Sequence, residues 1–440
     1  MQKTALNIVK ILTEAGFIAY FAGGYVRDLL LGQEAKDIDI VTDAKPTDLE
    51  RLMTKTIPIG KQFGVMQVHE GEHVFEVATF RSDSGYSDGR RPDAVFFTNA
   101  QADAKRRDFT INGLFYDPLK EEIIDYVGGQ KDLKDGILRF IGKPSERILE
   151  DKLRLLRAIR FRNELGLEYH PQTLVGLKEH AAEIINVSHE RIRNELLRMF
   201  ASPRRHLMLQ DLQRLGILQH TMPEISDCIG IQQPPQFHPE GDVFEHILEA
   251  MEVLPAVTDQ TVIWAVLLHD IGKAETCKAG PDQQITCEQH APLSARRGEL
   301  LLRRLRFPKK MMNDILWLVK NHMNLVQLTE ARVARRRRMF LNPLFPQLLE
   351  VHRIDDLAGK GDLTLYQEVR KLYEEDKETI LLPGLAPLLD GNDLMKEFNL
   401  AAGPKLKQLL ELVHDAQLEE KISTKKEALA YLRKEHQDLL

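Results

Sequence analysis

Hydrophobic and polar positions follow two patterns along the chain. Up to about residue 140, short runs rich in β-branched and aromatic residues lie between turn formers and predict strands, namely FIAYFAGG, KDIDIVT, GVMQVHE and HVFEVATF. From about residue 145, apolar residues recur with the 3.6-residue period of amphipathic helices, beginning with ERILEDKLRLLRAIRFRNELG. Helical periodicity continues to the end, with interruptions at IQQPPQFHPEGD and AGPDQQ. We therefore predict an α+β fold, in which a small mixed or antiparallel sheet with helices precedes an all-α body.

The length and the change of pattern also predict a domain division. A chain of 440 residues is long enough for about three domains of roughly 150 residues each. We expect an α+β head at residues 1–140, a helical neck at 141–205, a helical body at 206–345 and a helical tail at 346–440.

Composition narrows the class of protein. With 43% hydrophobic and 29% charged residues, the chain is not intrinsically disordered. It contains no run of about 20 apolar residues, so we expect no contact with a membrane. Its three cysteines, Cys228, Cys277 and Cys287, are scattered and form no CxxC motif, which fits the reducing cytoplasm. We expect a cytoplasmic protein, and the sequence gives no sign of an obligate protein partner.

The charge balance excludes a protein that coats nucleic acid in general. There are 60 Lys and Arg residues against 66 Asp and Glu residues, so the net charge of −6 repels phosphate weakly. Contact with RNA therefore has to come from local patches. The densest one is Arg332 with the run Arg335–Arg338, which is either such a patch or a solvated helix face.

A glycine pair marks the first candidate site. Gly23 and Gly24 follow the apolar run FIAYFA and precede YVRDLLLG, which reads as a helix. Glycines at a strand-to-helix turn let backbone N–H groups approach a phosphate. Arg27 would lie in the first turn of that helix, where it could bind the same phosphates. An ordinary turn is the alternative interpretation.

Two carboxylates follow shortly after this turn. Residues i and i+2 of a strand point to the same side, so Asp37 and Asp39 would lie together while Ile38 and Ile40 face the core. Adjacent carboxylates repel each other unless a cation lies between them, and such oxygen ligands suit Mg²⁺ bound with substrate phosphates. We expect both residues to be catalytic and to bind Mg²⁺ in phosphoryl transfer. An exposed pair without a ligand is the alternative.

These residues carry a family resemblance. GGYVRDLLLG followed by KDIDIV resembles the signature of the nucleotidyltransferase superfamily. The order of the motifs downstream is similar to that of the class II tRNA nucleotidyltransferases (CCA-adding enzymes) and the bacterial poly(A) polymerases. In turn, these segments resemble the flexible loop, the RRD motif, the head-to-neck segment and the base-reading helix: ATFRSDSGYSDGRRPDAVFF, KRRDFTINGLFYD, YVGGQKDLKDGILRFIG and EDKLRLLRAIRF. The resemblance implies a catalytic head, a neck that recognises the base and a tail that binds tRNA.

The neck offers a way to select a base without a template. Asp151 offers only acceptors and Arg154 only donors, and three residues apart on a helix they lie within about 60° of each other. Cytosine and adenine each present an amino donor beside a ring-nitrogen acceptor, so this pair fits both. Uracil and guanine present the reverse order and would leave polar groups unpaired. An i,i+3 salt bridge on a solvated helix is the alternative.

The resemblance implies further contacts with the nucleotide. It makes Gly24, Arg27 and Arg107 nucleotide ligands, with Asp108 as an orienting partner, and it adds Arg157 and Arg160 from the neck. Helical steps of 100° place Arg160 nearly opposite Asp151, so bracing the head against the neck is its alternative role. Similarity to the flexible loop gives Asp88, Arg90 and Arg91 a part in the final A addition.

The body contains a second constellation, spread over several helices. His269 and Asp270, with His246 upstream, resemble the HD phosphohydrolase motif, and His290, His322 and Asp356 would complete the ligands of a second divalent metal. Ala291 follows His290 where Glu is frequent. A helical scaffold without activity, or core histidines satisfied by hydrogen bonds, are the alternatives.

Taken together, these patterns predict a tRNA nucleotidyltransferase that completes the 3′-terminal CCA of tRNA from CTP and ATP, with Mg²⁺, and releases pyrophosphate. We expect it to grip the acceptor and TΨC arms of the tRNA. An enzyme that adds only the terminal A, or a poly(A) polymerase, shares the same head and stays open. An HD-type metal-dependent phosphohydrolase and a non-catalytic RNA-binding module are the remaining alternatives.

Overall fold

Two compact units make up the chain, Met1–Pro223 and Glu224–Leu440. The computed structural model describes residues 1–35, 37–85, 94–234, 236, 238–280, 284–381 and 386–439. The predicted order of an α+β part followed by helices is confirmed, whereas the finer division into four domains stays a prediction. Among the described residues, every helix is too short or too polar to cross a membrane.

The strands of the first unit form one large sheet and two short pairs. The described strands of this unit are β1 (Ala19–Ala22), β2 (Asp39–Thr42), β3 (Thr56–Gly60), β4 (Val65–Glu70), β5 (His73–Thr79), β6 (Arg81–Ser84), β7 (Ala94–Phe97), β8 (Leu114–Asp117), β9 (Glu122–Asp125), β10 (Ile137–Leu138) and β11 (Glu168–Tyr169). The large sheet is mixed, as predicted, with the order β3-β4-β5-β2-β1-β8-β9, in which only β2 and β5 are parallel.

Short helices connect the strands, and longer ones follow the sheet. The helices up to the end of the first unit are α1 (Gln2–Glu14), α2 (Gly24–Leu30), α3 (Pro46–Leu52), α4 (Ala100–Arg106), α5 (Gly129–Lys134), α6 (Pro144–Glu150), α7 (Arg154–Leu165), α8 (Pro171–Glu179), α9 (His189–Ala201), α10 (Arg205–Arg214) and α11 (Leu218–Thr221), and α12 (Pro223–Ser226) spans the division. Short 3₁₀ turns lie at Lys61–Phe63, Thr110–Asn112 and Ala181–Asn186.

The core under the sheet explains why β2 carries its carboxylates outward. The apolar face of α1 packs against alternate residues of the strands, including Phe21, Ile40 and Val77. Ile38 and Ile40 are almost fully buried, as the alternation predicted. The polar residues between them therefore point away from the core.

One predicted element is wrong. The periodicity from residue 145 onward predicts a single helix, but α6 ends at Glu150 and α7 begins at Arg154. Asp151 has an extended backbone (φ −146°, ψ 101°), and its Oδ1 accepts a hydrogen bond from the backbone N–H of Leu153 at 3.1 Å. An Asp side chain that bonds the local backbone competes with helical hydrogen bonds, and this ends one helix and starts the next.

Among the residues described in the second unit, the regular structure is helical apart from one antiparallel pair, β12 (Lys278–Ala279) and β13 (Ile285–Thr286). Its helices are α13 (Val243–Val253), α14 (Gln260–Leu268), α15 (Lys273–Thr276), α16 (His290–Arg304), α17 (Lys309–Asn321), α18 (Val333–Phe340), α19 (Phe345–Ala358), α20 (Thr364–Leu381), α21 (Gly391–Phe398), α22 (Pro404–Leu418) and α23 (Lys425–Glu435), with 3₁₀ turns at His322–Gln327 and Gln437–Leu439. Leucines of α21 to α23 form a separate core near the C-terminus.

Candidate functional site

A cavity of about 1030 Å³ opens in the first unit where β1 ends and the antiparallel β2 begins. Eight of the nine residues that the sequence assigns to catalysis and nucleotide binding line it: Gly24, Arg27, Asp37, Asp39, Arg107, Asp151, Arg154 and Arg157. Side chains from the sheet, from α2 and from α7 thus meet at one place. The sequence predicted these residues separately, and the tertiary structure brings them together at one cavity.

The glycine turn combines a backbone conformation that favours glycine with a close approach of charged side chains. Gly23 has a φ of +66°, in the left-handed region that favours glycine. A Cβ at Gly23 would lie 3.2 Å from Nη1 of Arg107 and 3.9 Å from Oδ2 of Asp39. The turn from β1 into α2 therefore brings bare backbone beside a cation and a carboxylate. Arg27, one turn along α2, donates to Asn112 Oδ1 at 3.1 Å.

Three of the carboxylates that line this cavity lie on or next to strands of the sheet. Asp37 precedes β2, Asp39 begins it, and Glu76 lies on the neighbouring β5. Burial, followed by the negative charges of Asp37 and Glu76, raises the pKa of Asp39 to about 6, against the opposing charge of Arg107. Concentrated negative charge of this kind fits a divalent cation.

Glu76 was not among the predicted site residues. In HVFEVATF, the buried Phe75 and Val77 flank it, so the alternation that predicted β5 also placed Glu76 on the opposite face. That signal was available in the sequence. The partner strand was not, because β2 and β5 are paired through a parallel connection rather than a hairpin.

Arg107 is held in position by a buried carboxylate. Asp103 on α4 is almost fully buried and accepts hydrogen bonds from Nε and Nη2 of Arg107 at 3.2 and 3.1 Å. Although burial alone would raise it, the guanidinium groups of Arg106 and Arg107 hold the pKa of Asp103 below its ordinary value. The Arg107 guanidinium also lies 5.1 Å from the ring centre of Phe115. Its orientation toward the cavity is thus fixed from two sides.

Asp108 binds an arginine of the neck. Its Oδ2 accepts hydrogen bonds from Nε and Nη2 of Arg157 at 2.9 and 2.7 Å, and its Oδ1 accepts one from Asn112 at 3.0 Å. Although burial alone would raise it, Arg157 lowers the pKa of Asp108 to about 2. Asp108 is therefore ionised and orients Arg157, which also stacks against Phe161 at 5.1 Å.

The two residues expected to read the base lie on either side of the helix break. Asp151 Oδ2 accepts a hydrogen bond from Arg191 of α9 at 2.8 Å. Arg154 is buried and donates through Nη1 to Glu150 Oε2 at 2.8 Å and to the Arg147 carbonyl at 2.6 Å. Both line the cavity, although they do not share one continuous helix as the spacing argument assumed.

The remaining predicted residues of the first unit are not among those that line the cavity. Arg160 does not line the cavity: its guanidinium donates to Glu195 of α9 at 2.6 Å and to Glu164 at 2.9 Å, so it braces α7 against α9 within the neck. The loop residues Asp88, Arg90 and Arg91 lie outside the described residues.

In the second unit, four histidines and two aspartates converge. His246 Nε2 lies 3.3 Å from His269 Nε2 and 3.0 Å from Asp355 Oδ1. His290 Nε2 lies 3.2 Å from His322 Nε2, and Asp270 lies between the two pairs. These side chains are grouped closely enough to hold metal ions. Five of the six predicted ligands are therefore brought together.

The sixth position differs by one residue. Asp355 is the carboxylate among the histidines, whereas Asp356 faces His352 at 3.5 Å. Consecutive residues of a helix are turned by 100°, so only one of this pair on α19 can face the cluster. Burial and the neighbouring Asp355 raise the pKa of Asp356 to about 7.

A cavity of about 510 Å³ adjoins this cluster. Lys273, which is buried, lines it and forms an ion pair with Asp270 Oδ2 at 2.6 Å. Its Nζ also lies 3.0 Å from His238 Nε2. The cavity thus places the buried ammonium group of Lys273, ion-paired with Asp270, beside the histidines.

The cysteines are arranged differently from the expectation. Cys277 and Cys287 are joined by a disulfide that links the two ends of the β12–β13 hairpin beside the cluster. Their separation of ten residues carries no motif, so the sequence did not predict the pairing. Cys228 is free and buried, and burial raises the pKa of its thiol to about 12.

Internal ion pairs occupy most of the basic run. Arg336 and Arg337 on α18 both bind Asp376 of α20, and Arg337 also binds Glu420. Arg338 pairs with Asp415 of α22. These three arginines hold neighbouring helices together, which is a structural role.

Three family profiles match the chain. Residues 19–139 match the poly A polymerase head domain, residues 166–229 match the probable RNA and SrmB binding site of polymerase A, and residues 287–432 match domain 2 of tRNA nucleotidyltransferases.

CCA-adding enzymes of other organisms are similar in sequence, one of them over nearly the whole chain. The CCA-adding enzyme of Bacillus subtilis is 28% identical over 96% of this chain and 95% of its own length. That of Lactobacillus helveticus is 43% identical over 45% of this chain, so the match spans half the length of that relative. Among solved structures, Bacillus stearothermophilus CCA-adding enzyme in complex with CTP is similar, with 25% identity, a TM-score of 0.76 and coverage of 99% of this chain and 98% of that one.

Proposed function

Because the chain belongs to the family that comprises the tRNA nucleotidyltransferases, or CCA-adding enzymes, and the bacterial poly(A) polymerases, we propose that it adds the 3′-terminal CCA to tRNA from CTP and ATP without a nucleic-acid template. The observation that carries the proposal is the single cavity that joins carboxylates of the sheet to the base-reading pair of the neck. The similarity to a structure that contains CTP supports it.

In the proposed reaction the 3′-hydroxyl of tRNA attacks the α-phosphate of the nucleotide, and pyrophosphate leaves. Asp37, Asp39 and Glu76 would hold Mg²⁺, since burial and the negative charges of Asp37 and Glu76 raise the pKa of Asp39, and carboxylates concentrated in this way fit a divalent cation. When bound, Mg²⁺ lowers the pKa of the attacking hydroxyl and neutralises the leaving pyrophosphate. Arg107 and Arg27 border the bare backbone of the glycine turn, where the triphosphate would lie.

Selection of the base depends on the contacts that orient Asp151 and Arg154. Arg191 binds one oxygen of Asp151 and orients its carboxylate, so that it presents an acceptor to the amino group of cytosine or adenine. Glu150 and the Arg147 carbonyl hold one end of the Arg154 guanidinium, which presents donors to the adjacent ring nitrogen. Uracil and guanine would face like groups at both positions, an arrangement that costs several kcal/mol in a desolvated site, of the order of 1–3 kcal/mol for each unpaired group.

Primer extension tests this proposal. Three tRNA transcripts, ending in the discriminator base, in C and in CC, receive CTP, ATP or both with Mg²⁺. We expect the first transcript to gain C, C and A and then to stop. Extension of the CC end alone by one A would indicate an A-adding enzyme, and a long A ladder a poly(A) polymerase.

Two variants separate chemistry from folding in that assay. Asp37→Ala with Asp39→Ala should abolish extension. The matched control is Asp135→Ala, which alters an exposed aspartate paired with Lys131 and should leave extension unchanged. Equal loss in both would overturn the assignment of the carboxylates.

For the second unit we propose a metal-dependent phosphohydrolase activity as a second function. The observation in its favour is the buried convergence of histidines and aspartates next to a cavity with Lys273. Phosphate release from cyclic nucleotides or RNA ends should survive Asp37→Ala with Asp39→Ala and be lost on His269→Ala with Asp270→Ala. The opposite pattern would assign the release to the first unit.

The roles of the remaining segments complete the proposal. The sequence places base recognition in the neck and tRNA binding in the tail, where the acceptor and TΨC arms would be gripped mostly by shape and phosphate contacts. The cytoplasm is the expected place of this reaction.

A further inference from the structure

The open face of the large sheet carries polar side chains that continue past the proposed catalytic carboxylates. Gln67 of β4 lies directly opposite Glu76 of β5. The parallel pairing of β2 with β5 begins at Ile40, so Asp39, one residue earlier, lies beside Glu76. Neighbouring strands are about 4.8 Å apart, so Gln67 lies one strand from Glu76 and two strands, roughly 10 Å, from Asp39. The row therefore leads from the carboxylates toward the β3 edge of the sheet.

Two cations of the cavity lie beside the glycine turn, on the other side of the carboxylates. A Cβ at Gly24 would lie 3.7 Å from Nη2 of Arg27, and one at Gly23 would lie 3.2 Å from Nη1 of Arg107. This turn follows β1, and β1 and β4 flank the β2–β5 pair on opposite sides. The triphosphate of the nucleotide, which is strongly negative, would therefore lie on the β1 side of the carboxylates.

The geometry of the reaction then sets the direction from which the tRNA end arrives. In displacement at a phosphate, the attacking and the leaving oxygen lie roughly in line on opposite sides of the phosphorus. Because pyrophosphate would leave toward the β1 side, the 3′-hydroxyl would enter from the side of β5 and β4. The terminal nucleotide that carries this hydroxyl would then lie over Glu76 and Gln67.

The surface on that side suits a sugar better than a phosphate group. Gln67 and Val74 both line the cavity. The neighbours of Gln67 in β4, Met66 and Val68, are packed in the core, so Gln67 points to the open face, and its amide forms no hydrogen bond in the described part of the chain. Val74 is apolar but 51% exposed. A neutral amide that donates and accepts, next to an apolar patch, matches a hydroxylated ribose.

We propose that Gln67 binds the ribose of the 3′-terminal nucleotide of tRNA through its 2′-hydroxyl, and that Val74 supports the apolar side of this sugar. The inference rests on the proposed function of the cavity and adds to it the place of the tRNA end. A 2′-hydroxyl both donates and accepts hydrogen bonds, and it is the group by which a protein distinguishes RNA from DNA. Gln67 would thus make the enzyme prefer an RNA end to a DNA end.

Two tRNA substrates that differ in one hydroxyl test the inference. Both end in C, and the terminal nucleotide is either a ribonucleotide or a 2′-deoxynucleotide, which keeps its 3′-hydroxyl. The ratio of kcat/KM for addition of C from CTP gives the preference for the ribose end. We expect Gln67→Met to reduce this preference by roughly 3- to 10-fold, the range for one neutral hydrogen bond. The intrinsic reactivity of each end is the same for both proteins and cancels, so an unchanged preference overturns the inference.

Binding of CTP separates the two sides of the cavity. Gln67→Met should leave the affinity for CTP, measured without tRNA, unchanged, and a loss of that affinity would place Gln67 on the nucleotide side and overturn the inference. The matched control is Gln130→Met, which alters an exposed glutamine of α5 that does not line the cavity. This control should keep both the preference and the CTP affinity, and an equal loss of preference in it would also refute the role of Gln67.

Val74→Ala gives an independent measurement. An apolar contact does not read the 2′-hydroxyl, so we expect KM for tRNA to rise roughly 4-fold with either end, the effect of one methylene-sized contact, while the preference stays at the wild-type value. An unchanged KM, or an effect on one end alone, would overturn the role of Val74. Failure of the wild-type protein to extend either end would instead refute the proposed function of the cavity, so the two failures are distinguishable.

Discussion

Replacing Asp108 by Asn tests how the sheet side of the nucleotide cavity holds the neck. In the native protein Arg157 lowers the pKa of this buried carboxyl from 3.8 to about 2. A difference of one pKa unit corresponds to about 1.4 kcal/mol, so the ionised form contributes about 2 kcal/mol to the stability of the first unit. Asp108→Asn removes that contribution at pH 7 and leaves Arg157 without its charged partner, so we expect a loss of at least about 2 kcal/mol.

The sign of the pH dependence follows from the direction of the shift. Because the folded pKa lies below the unfolded one, the contribution is complete above about pH 5 and disappears as the pH falls toward 2. The stability gap between the wild type and Asp108→Asn should therefore be widest at neutral pH and narrow steadily from pH 5 to pH 3.

The stability of each unit can be followed by a different signal. Trp264 and Trp317 both lie in the second unit, so their fluorescence in urea follows that unit. Hydrogen exchange of the α7 amides follows the first unit. The matched control is Asp135→Asn, an exposed carboxylate, for which we expect no measurable change.

The reasoning is refuted if Asp108→Asn changes α7 protection by less than about 0.5 kcal/mol, which is the ordinary range for a surface substitution. It is equally refuted if the gap between wild type and variant stays constant from pH 7 to pH 3.

Three further changes probe the first unit. Gly129→Ala should destabilise it strongly, because the new Cβ would lie 2.1 Å from the Thr110 carbonyl oxygen; a midpoint of urea unfolding within error of the wild type would contradict this close approach. Glu76→Gln should lower the rate of extension at limiting Mg²⁺ and recover in part at high Mg²⁺, and an unchanged Mg²⁺ dependence would remove Glu76 from the site. Arg191→Ala, which removes the hydrogen bond to Asp151, should mainly raise misincorporation of UTP and lower stability only to a lesser extent. Competition between CTP and UTP measures this selectivity. Unaltered selectivity would count against Arg191 as the residue that orients Asp151.

Local pattern was enough to predict much of the cavity. Alternation along β2 placed Asp37 and Asp39 outside the core, and the glycine pair marked the turn beside them. Glu76 was missed because its role depends on which strand lies next to β5, a pairing between distant segments. Strand neighbours of this kind are set by the packing of the whole sheet, which no short window of sequence contains.

Three finer features were not predicted, each for a different physical reason. The helix break at Asp151 depends on one side-chain hydrogen bond to the backbone, and helical periodicity does not record such bonds. The choice between Asp355 and Asp356 depends on the rotation of α19 about its axis, to which each successive residue adds 100°. The pairing of Cys277 with Cys287 depends on a hairpin too short to leave a strand pattern.

The ion pairs of α18 have a consequence for the way in which tRNA affinity responds to salt. Each phosphate that a cation neutralises adds about 0.9 to the slope of log affinity against log salt, so five free arginines would cost about 500-fold in affinity between 50 and 200 mM salt. Arg336, Arg337 and Arg338 already neutralise acidic side chains of α20, α22 and the turn after α22. With only Arg332 and Arg335 left to release counterions, the same change in salt would cost about 12-fold from this helix. If tRNA binds at this helix, as proposed, its binding is therefore set more by the fit of surfaces than by the ionic strength of the surroundings.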